Sequence, residues 1–257
     1  MKQKFAGSLF VCLLAFPFWA WPSLQAPATP EPHDLYKTTF IQAAPGKLLD
    51  LIKLYQDRLP VYDASGDERP LWWRHTQGDK WDLMLLFPMS SYSEYFSAER
   101  VARRKKASDS SPLSQEEFTR KLGEFAAWQE DLFVEGPHLK TVKKAFNEAA
   151  YYHIEIFVAL PGKHAELRRE REMENAYQKG IGRPETLIFT RDQGAAWDIF
   201  TLGCYQDIKH WAEGGEPSKE KRKAAARAAG FTDSDSIGPY MRTLIFMHRD
   251  TMGVAIK

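Results

Sequence analysis

The chain has 257 residues, 44% of them hydrophobic, and a formal net charge of +1. That balance removes any case for bulk attraction to nucleic acid, and no apolar run reaches the ~20 residues of a membrane-spanning helix, which excludes a polytopic membrane protein. Cys12 and Cys204 are the only cysteines, so a packed core rather than a set of disulfides must hold the fold.

Met1-Lys2-Gln3-Lys4 is basic, residues 5–21 are almost wholly apolar, and residues 22–32 are rich in Pro and Ala. This order predicts an export signal over residues 1–26 and a periplasmic protein; the alternative is an uncleaved N-terminal anchor. Leu24-Gln25-Ala26 and Ala26-Pro27-Ala28 are the two candidate recognition ends. Cys12 would leave with the signal, as would Lys2 and Lys4, giving a mature charge of −1 and Cys204 as the one remaining thiol.

A strand is predicted over 36–43, ending at Pro45-Gly46, where Pro suits the first turn of a helix over 45–59. Leu48, Leu49, Ile52, Tyr55 and Leu59 fall on one side of that helix. A hairpin follows, 71–76 turning through Gln77-Gly78-Asp79 into 81–87, and then a helix from Ser91. Residues 107–128 read as an insertion holding one helix, with Phe118, Leu122 and Phe125 in register, and 132–135 as a short fourth strand. The pattern then starts again: strand 152–159, helix 161–178, hairpin 186–191 and 197–202, helix from Tyr205, insertion 214–236 and strand 242–248.

One offset of 116 residues aligns the two halves. It sets Pro45-Gly46-Lys47 on Pro161-Gly162-Lys163, Trp81-Asp82 on Trp197-Asp198, Tyr36 on Tyr152 and Leu71 on Leu187. A constant offset is the mark of a repeated unit. The order β-α-β-β-α-β in each copy is that of a ferredoxin-like sheet with helices on one face. The bare face must be buried against something, and the other copy is available.

A strand ending in Pro-Gly-Lys before an amphipathic helix, then a hairpin and helix, all in tandem, resembles the dimeric α/β-barrel superfamily, and within it NIPSNAP-type and stress-responsive domains. The resemblance covers residues 36–254 and rests on loose structural motifs. It implies an α+β fold of two ferredoxin-like modules, 34–140 and 150–257, packed sheet to sheet as a pseudo-dimeric barrel that holds a small molecule between its sheets. The superfamily includes haem enzymes, cofactor-free monooxygenases and members of unknown activity, so the resemblance brings no reaction with it. No haem or oxygenase motif is present to carry over, no other cofactor is required by any motif, and further oligomerisation is left open.

Period-2 alternation puts His153, Glu155 and Phe157 on one face of the 152–159 strand and Ile154, Ile156 and Val158 on the other. With the apolar row placed under the helices, His153 and Glu155 would point into the barrel as catalytic candidates; the alternative is a plain ion pair. His-x-Glu alone is too little for a metal, which needs three or four convergent ligands. His75 and Arg191, equivalent at the offset, are candidates for binding an acidic ligand. Glu174, Asn175, Tyr177 and Arg183 could together orient a polar ligand, against a solvated helix face laced with pairs such as Arg168–Glu172. The Trp-Asp pairs, shared by both halves, read as packing, and Cys204 as a small core residue. The expected function is small-molecule binding; the alternative is a barrel enzyme, an oxygenase, isomerase or haem-dependent catalyst.

Overall fold

A computed structural model describes residues 33–212 and 217–257. The predicted export signal, Cys12 and the start of the second insertion lie outside the described residues. Strands β1 (His33–Ala43), β2 (Leu71–Gln77), β3 (Leu83–Ser90) and β4 (Ala126–Pro137) come from the first half. The second half supplies β5 (Tyr151–Ala159), β6 (Leu187–Gly194), β7 (Ile199–Tyr205) and β8 (Ile245–Ala255). All eight close into one antiparallel barrel in the order β1-β3-β2-β8-β5-β7-β6-β4. Each half thus contributes its strands in the same spatial sequence, β4-β1-β3-β2 and β8-β5-β7-β6.

Between strands of the first half run helices α1 (Leu48–Ser65), α2 (Tyr92–Tyr95), α3 (Ala98–Asp109) and α4 (Gln115–Phe125). Helix α5 (Leu139–Glu148) links the halves, and α6 (His164–Ile181), α7 (Ile208–Ala212), α8 (Lys219–Ala228) and α9 (Ile237–Arg242) belong to the second. Three boundaries differ from expectation. β4 is three times longer than residues 132–135 because its first residues pair with the end of β1. β8 begins later because 237–242 is helical. α5 was hidden between the copies, although Leu139, Val142 and Phe146 are helically spaced; Val142 and Phe146 join the barrel core.

The interior is one cluster drawn from both halves, including Tyr36, Phe40, Trp73, Met84, Tyr152, Ile154, Ile156 and Phe189. Phe40 meets Trp197 edge-on at 4.4 Å, and Phe189 stacks on Phe200 at 4.5 Å. An eight-stranded barrel is just wide enough for its own side chains to fill, and a charge placed there would have neither water nor partner. The expectation for β5 is therefore reversed. Ile154 and Ile156 fill the barrel, while His153 and Glu155 face outward beneath α6. The space between the two sheets is occupied by aromatic packing rather than by a ligand site.

The phase of the first-half helix also changes. Its inward stripe is Leu51, Leu54, Tyr55 and Arg58, an i, i+3, i+4, i+7 series, whereas Leu49 is 79% exposed. At the 116-residue offset the same stripe on α6 is Leu167, Glu170, Arg171 and Glu174. Of these, Leu167, Glu170 and Arg171 are buried.

The Trp-Asp pairs act alike in both halves. Asp82 Oδ2 accepts the Ala43 amide at 2.8 Å and Asp198 Oδ2 accepts the Ala159 amide at 2.8 Å. The Asp82 and Asp198 amides donate in turn to Ile41 O and Phe157 O, at 2.8 and 2.9 Å. Each aspartate latches the end of its first strand, and each tryptophan beside it enters the barrel cluster.

Candidate functional site

Strands β5 and β8 are neighbours in an antiparallel register that sets Glu155 opposite Asp250 and Phe157 opposite His248. Alternation then carries His153, Glu155, His248 and Asp250 onto one outer face. His153 Nε2 lies 2.9 Å from Asp250 Oδ1. His248 Nε2 is 3.3 Å from Glu155 Oε1 and 3.6 Å from Asp250 Oδ1, within ion-pair reach but aligned for a hydrogen bond with neither. Thr201 Oγ1 donates to Glu155 Oε2 at 2.8 Å, and the His248 ring stacks on Phe157 with centroids 4.6 Å apart. Two imidazoles and two carboxylates thus cluster on this face, and His153 and Glu155 form one wall of a cavity.

Helix α6 supplies the facing wall. Arg171, 3% exposed, places Nη2 2.6 Å from both Glu170 Oε2 and Glu174 Oε2 and lies over the Phe157 ring at 4.5 Å. Between the walls is a cavity of about 450 Å³ that also touches Gln178, Arg183, Tyr205 and Trp211. Its size suits a small organic molecule.

Charge placement perturbs several groups. Burial is the largest influence on Glu155 and raises it, but His248, His153, Arg171 and Thr201 together hold the carboxyl down at about 2. For His153 burial again comes first and lowers it; the Asp250 hydrogen bond and the charges of Glu155, Asp250 and Glu174 outweigh it and leave the imidazole above its ordinary value. Burial raises Glu170 to about 7 against the pull of Arg171, with Glu174 and Glu155 pushing the same way as burial. Burial drives the Cys204 thiol up to about 12, which leaves it unreactive, in keeping with its packing against the core.

The cavity gathers five predicted residues from two separate groups: His153, Glu155, Glu174, Asn175 and Arg183. Asn175 is engaged structurally, since its amide brackets Thr186, donating to the carbonyl at 2.8 Å and accepting the amide at 2.9 Å. Tyr177 does not line the cavity. His75 and Arg191 are elsewhere, each beside the latching aspartate of its own half: His75 Nδ1 is 3.7 Å from Asp82 Oδ1, and Arg191 Nη2 is 2.5 Å from Asp198 Oδ1. As predicted, Arg168 pairs with Glu172, at 2.8 Å, but the solvated-face reading fails one position on, where Glu170 and Arg171 are buried. The inward stripe of α1, carried over by the offset, would have flagged both. Asp250 and His248 carry no local signal, because only strand pairing brings them to His153.

His153, Glu155 and Asp250 each offer a ligand atom, all within 4.8 Å of one another. His153 Nε2 is committed to Asp250, whereas His248 Nε2 makes no hydrogen bond.

No family model and no curated protein matches the chain. Solved structures do. An anthrone oxidase-like protein superposes with a TM-score of 0.57 at 11% identity, covering 89% of this chain and 93% of that one. A monooxygenase candidate from Fusobacterium nucleatum subsp. nucleatum gives 0.48 at 13% identity, covering 89% and 94%. A chlorite dismutase from Candidatus Nitrospira defluvii gives 0.46 at 9% identity, covering 88% and 93%. The first likeness is one of fold alone; the other two fall too low to add to it.

Proposed function

We propose that the barrel is a duplicated ferredoxin-like module whose second copy has become a small-molecule site, with the ligand held outside the barrel between α6 and the β5–β8 face. The carrying observation is that His153 and Glu155, which line the cavity, are backed on the same strand face by Asp250 and His248. Asp250 orients the His153 ring and raises its basicity, as a general base requires, while Arg171 offers positive charge to a substrate carbonyl, carboxylate or enolate. Proton transfer to and from a small polar organic molecule is the chemistry this arrangement supports. The protein is exported and uses no nucleic-acid partner.

A thermal-shift screen of small carboxylic acids, amides and phenols tests the reading, with turnover assays on every compound that stabilises the protein. Hits are expected to lose their effect in Asp250→Ala and His153→Ala. If no compound stabilises the wild type more than the double variant, the site is not a ligand site.

A second reading rests on the 4.8 Å clustering of ligand atoms from His153, Glu155 and Asp250. With His248 as a fourth donor, the mixed imidazole and carboxylate set suits zinc, manganese or iron. Titration with Zn2+ or Mn2+ separates the two. One tightly held ion per chain, lost in Asp250→Ala, favours the metal; no binding leaves acid–base chemistry alone.

A further inference from the structure

The first half has a cavity at the place where the second half has its site. Six positions line both at the 116-residue offset: Lys37, Tyr55, Arg58, Tyr62, Asp67 and Tyr95 in the first, His153, Arg171, Glu174, Gln178, Arg183 and Trp211 in the second. Their chemistry is inverted at the centre. Where the second half has the acid Glu174, the first has Arg58, only 6% exposed.

Arg58 is a buried cation without a counterion. Its guanidinium donates to three neutral acceptors, Leu113 O at 2.8 Å, Ser108 Oγ at 3.0 Å and Gln115 Oε1 at 2.5 Å, and among the described residues no carboxylate pairs with it. The nearby acids are already committed: Asp67 to Arg100 at 2.6 Å, Asp109 to Lys105 at 2.6 Å and Asp131 to Lys37 at 3.5 Å. Arg104, beside the same cavity, is paired: its Nη1 is 3.7 Å from Asp67 Oδ2 and its guanidinium lies over the Tyr95 ring at 4.0 Å. An unpaired buried charge is expensive, and an anion that enters with it offsets the cost.

Part of the wall is aromatic, alongside polar residues such as Ser65, Lys105 and Gln129. Tyr55, Tyr62, Phe87, Tyr95 and Phe118 border a space of about 600 Å³, room for a flat apolar body. The geometry points to a second ligand site, in the first half, for a small aromatic carboxylate whose charged end pairs with Arg58 and whose rings lie against Tyr62 and Phe87. It is independent of the cavity beneath α6.

Calorimetric titration of the purified protein with 2-naphthoate, 2-naphthylmethanol and inorganic phosphate tests this. The acid is expected to bind about tenfold or more tightly than the alcohol, the preference a charged hydrogen bond supplies. Arg58→Met should reduce that preference to within about twofold while the alcohol still binds, and Arg58→Lys should keep part of it. Should Arg58→Met fail to fold, Arg58→Lys carries the comparison, and an acid preference that it leaves unchanged would overturn the proposal. Equal binding of acid and alcohol, binding of neither, or phosphate binding as tightly as naphthoate would each overturn the proposal.

Discussion

His153 and Asp250 meet at 2.9 Å across the β5–β8 pair, although 97 residues separate them in sequence. Asp250 is 54% exposed at its side chain and His153 17%, so the pair contributes little to stability, about 0–1 kcal/mol, and its effect is on ring orientation. Asp250→Asn should therefore leave the urea unfolding midpoint almost unchanged while weakening ligand binding under α6. A large loss of stability with binding intact would reverse the assignment.

Glu170 is fully buried where the first half has Leu54. Its folded value of about 7 lies above the ordinary 4.5, so at pH below 4.5 both states are protonated and it costs nothing. Between 4.5 and 7 the unfolded chain releases the proton first, and this group subtracts stability as pH rises, by an amount on the order of 1–3 kcal/mol, before levelling off above 7. Glu170→Gln should remove that slope and make the protein more stable than wild type at pH 8, as read by denaturant unfolding across pH. A slope that survives the substitution places the titrating group elsewhere.

Asp82 and Asp198 hold equivalent amides, and removing either carboxylate strands a strand-end N–H. Each alanine variant should cost about 1–3 kcal/mol. Asp198→Ala should be the larger, since it also frees Arg191. As the latches lie in different halves, the double variant should be close to additive, and unfolding free energies of the four proteins check this.

Gly78 and Gly194 sit at the hairpins where the halves meet, with φ of 121° and 107°. A Cβ on Gly78 would come within 2.3 Å of Asp250 O, and one on Gly194 within 2.7 Å of Asp131 O. Backbone cannot retreat as a flexible side chain can, so Gly78→Ala and Gly194→Ala should each destabilise by well over the ~1 kcal/mol of an ordinary glycine replacement. Gly123→Ala, in a helix with open space around it, is the control, expected to be neutral or stabilising.

Much of the architecture was legible in order and spacing alone. The Pro-Gly turns, the strand-helix-hairpin-helix order and the 116-residue register are local or periodic features, and the barrel repeats them in both halves. Alternation along β5 likewise separated His153 and Glu155 from Ile154 and Ile156. What it does not contain is which face closes inward. That depends on strands from the other half, which complete a space too small and too dry for charge. The same closure set β8 beside β5, supplying His248 and Asp250, and turned α6 so that Glu170 and Arg171 were buried. The sequence by itself determined the order of strands and helices and the 116-residue register; only the tertiary structure decided that His153, Glu155, Glu174 and Arg183 share a cavity and that Asp250 and His248 stand beside it, because barrel closure joins residues that have no local tie.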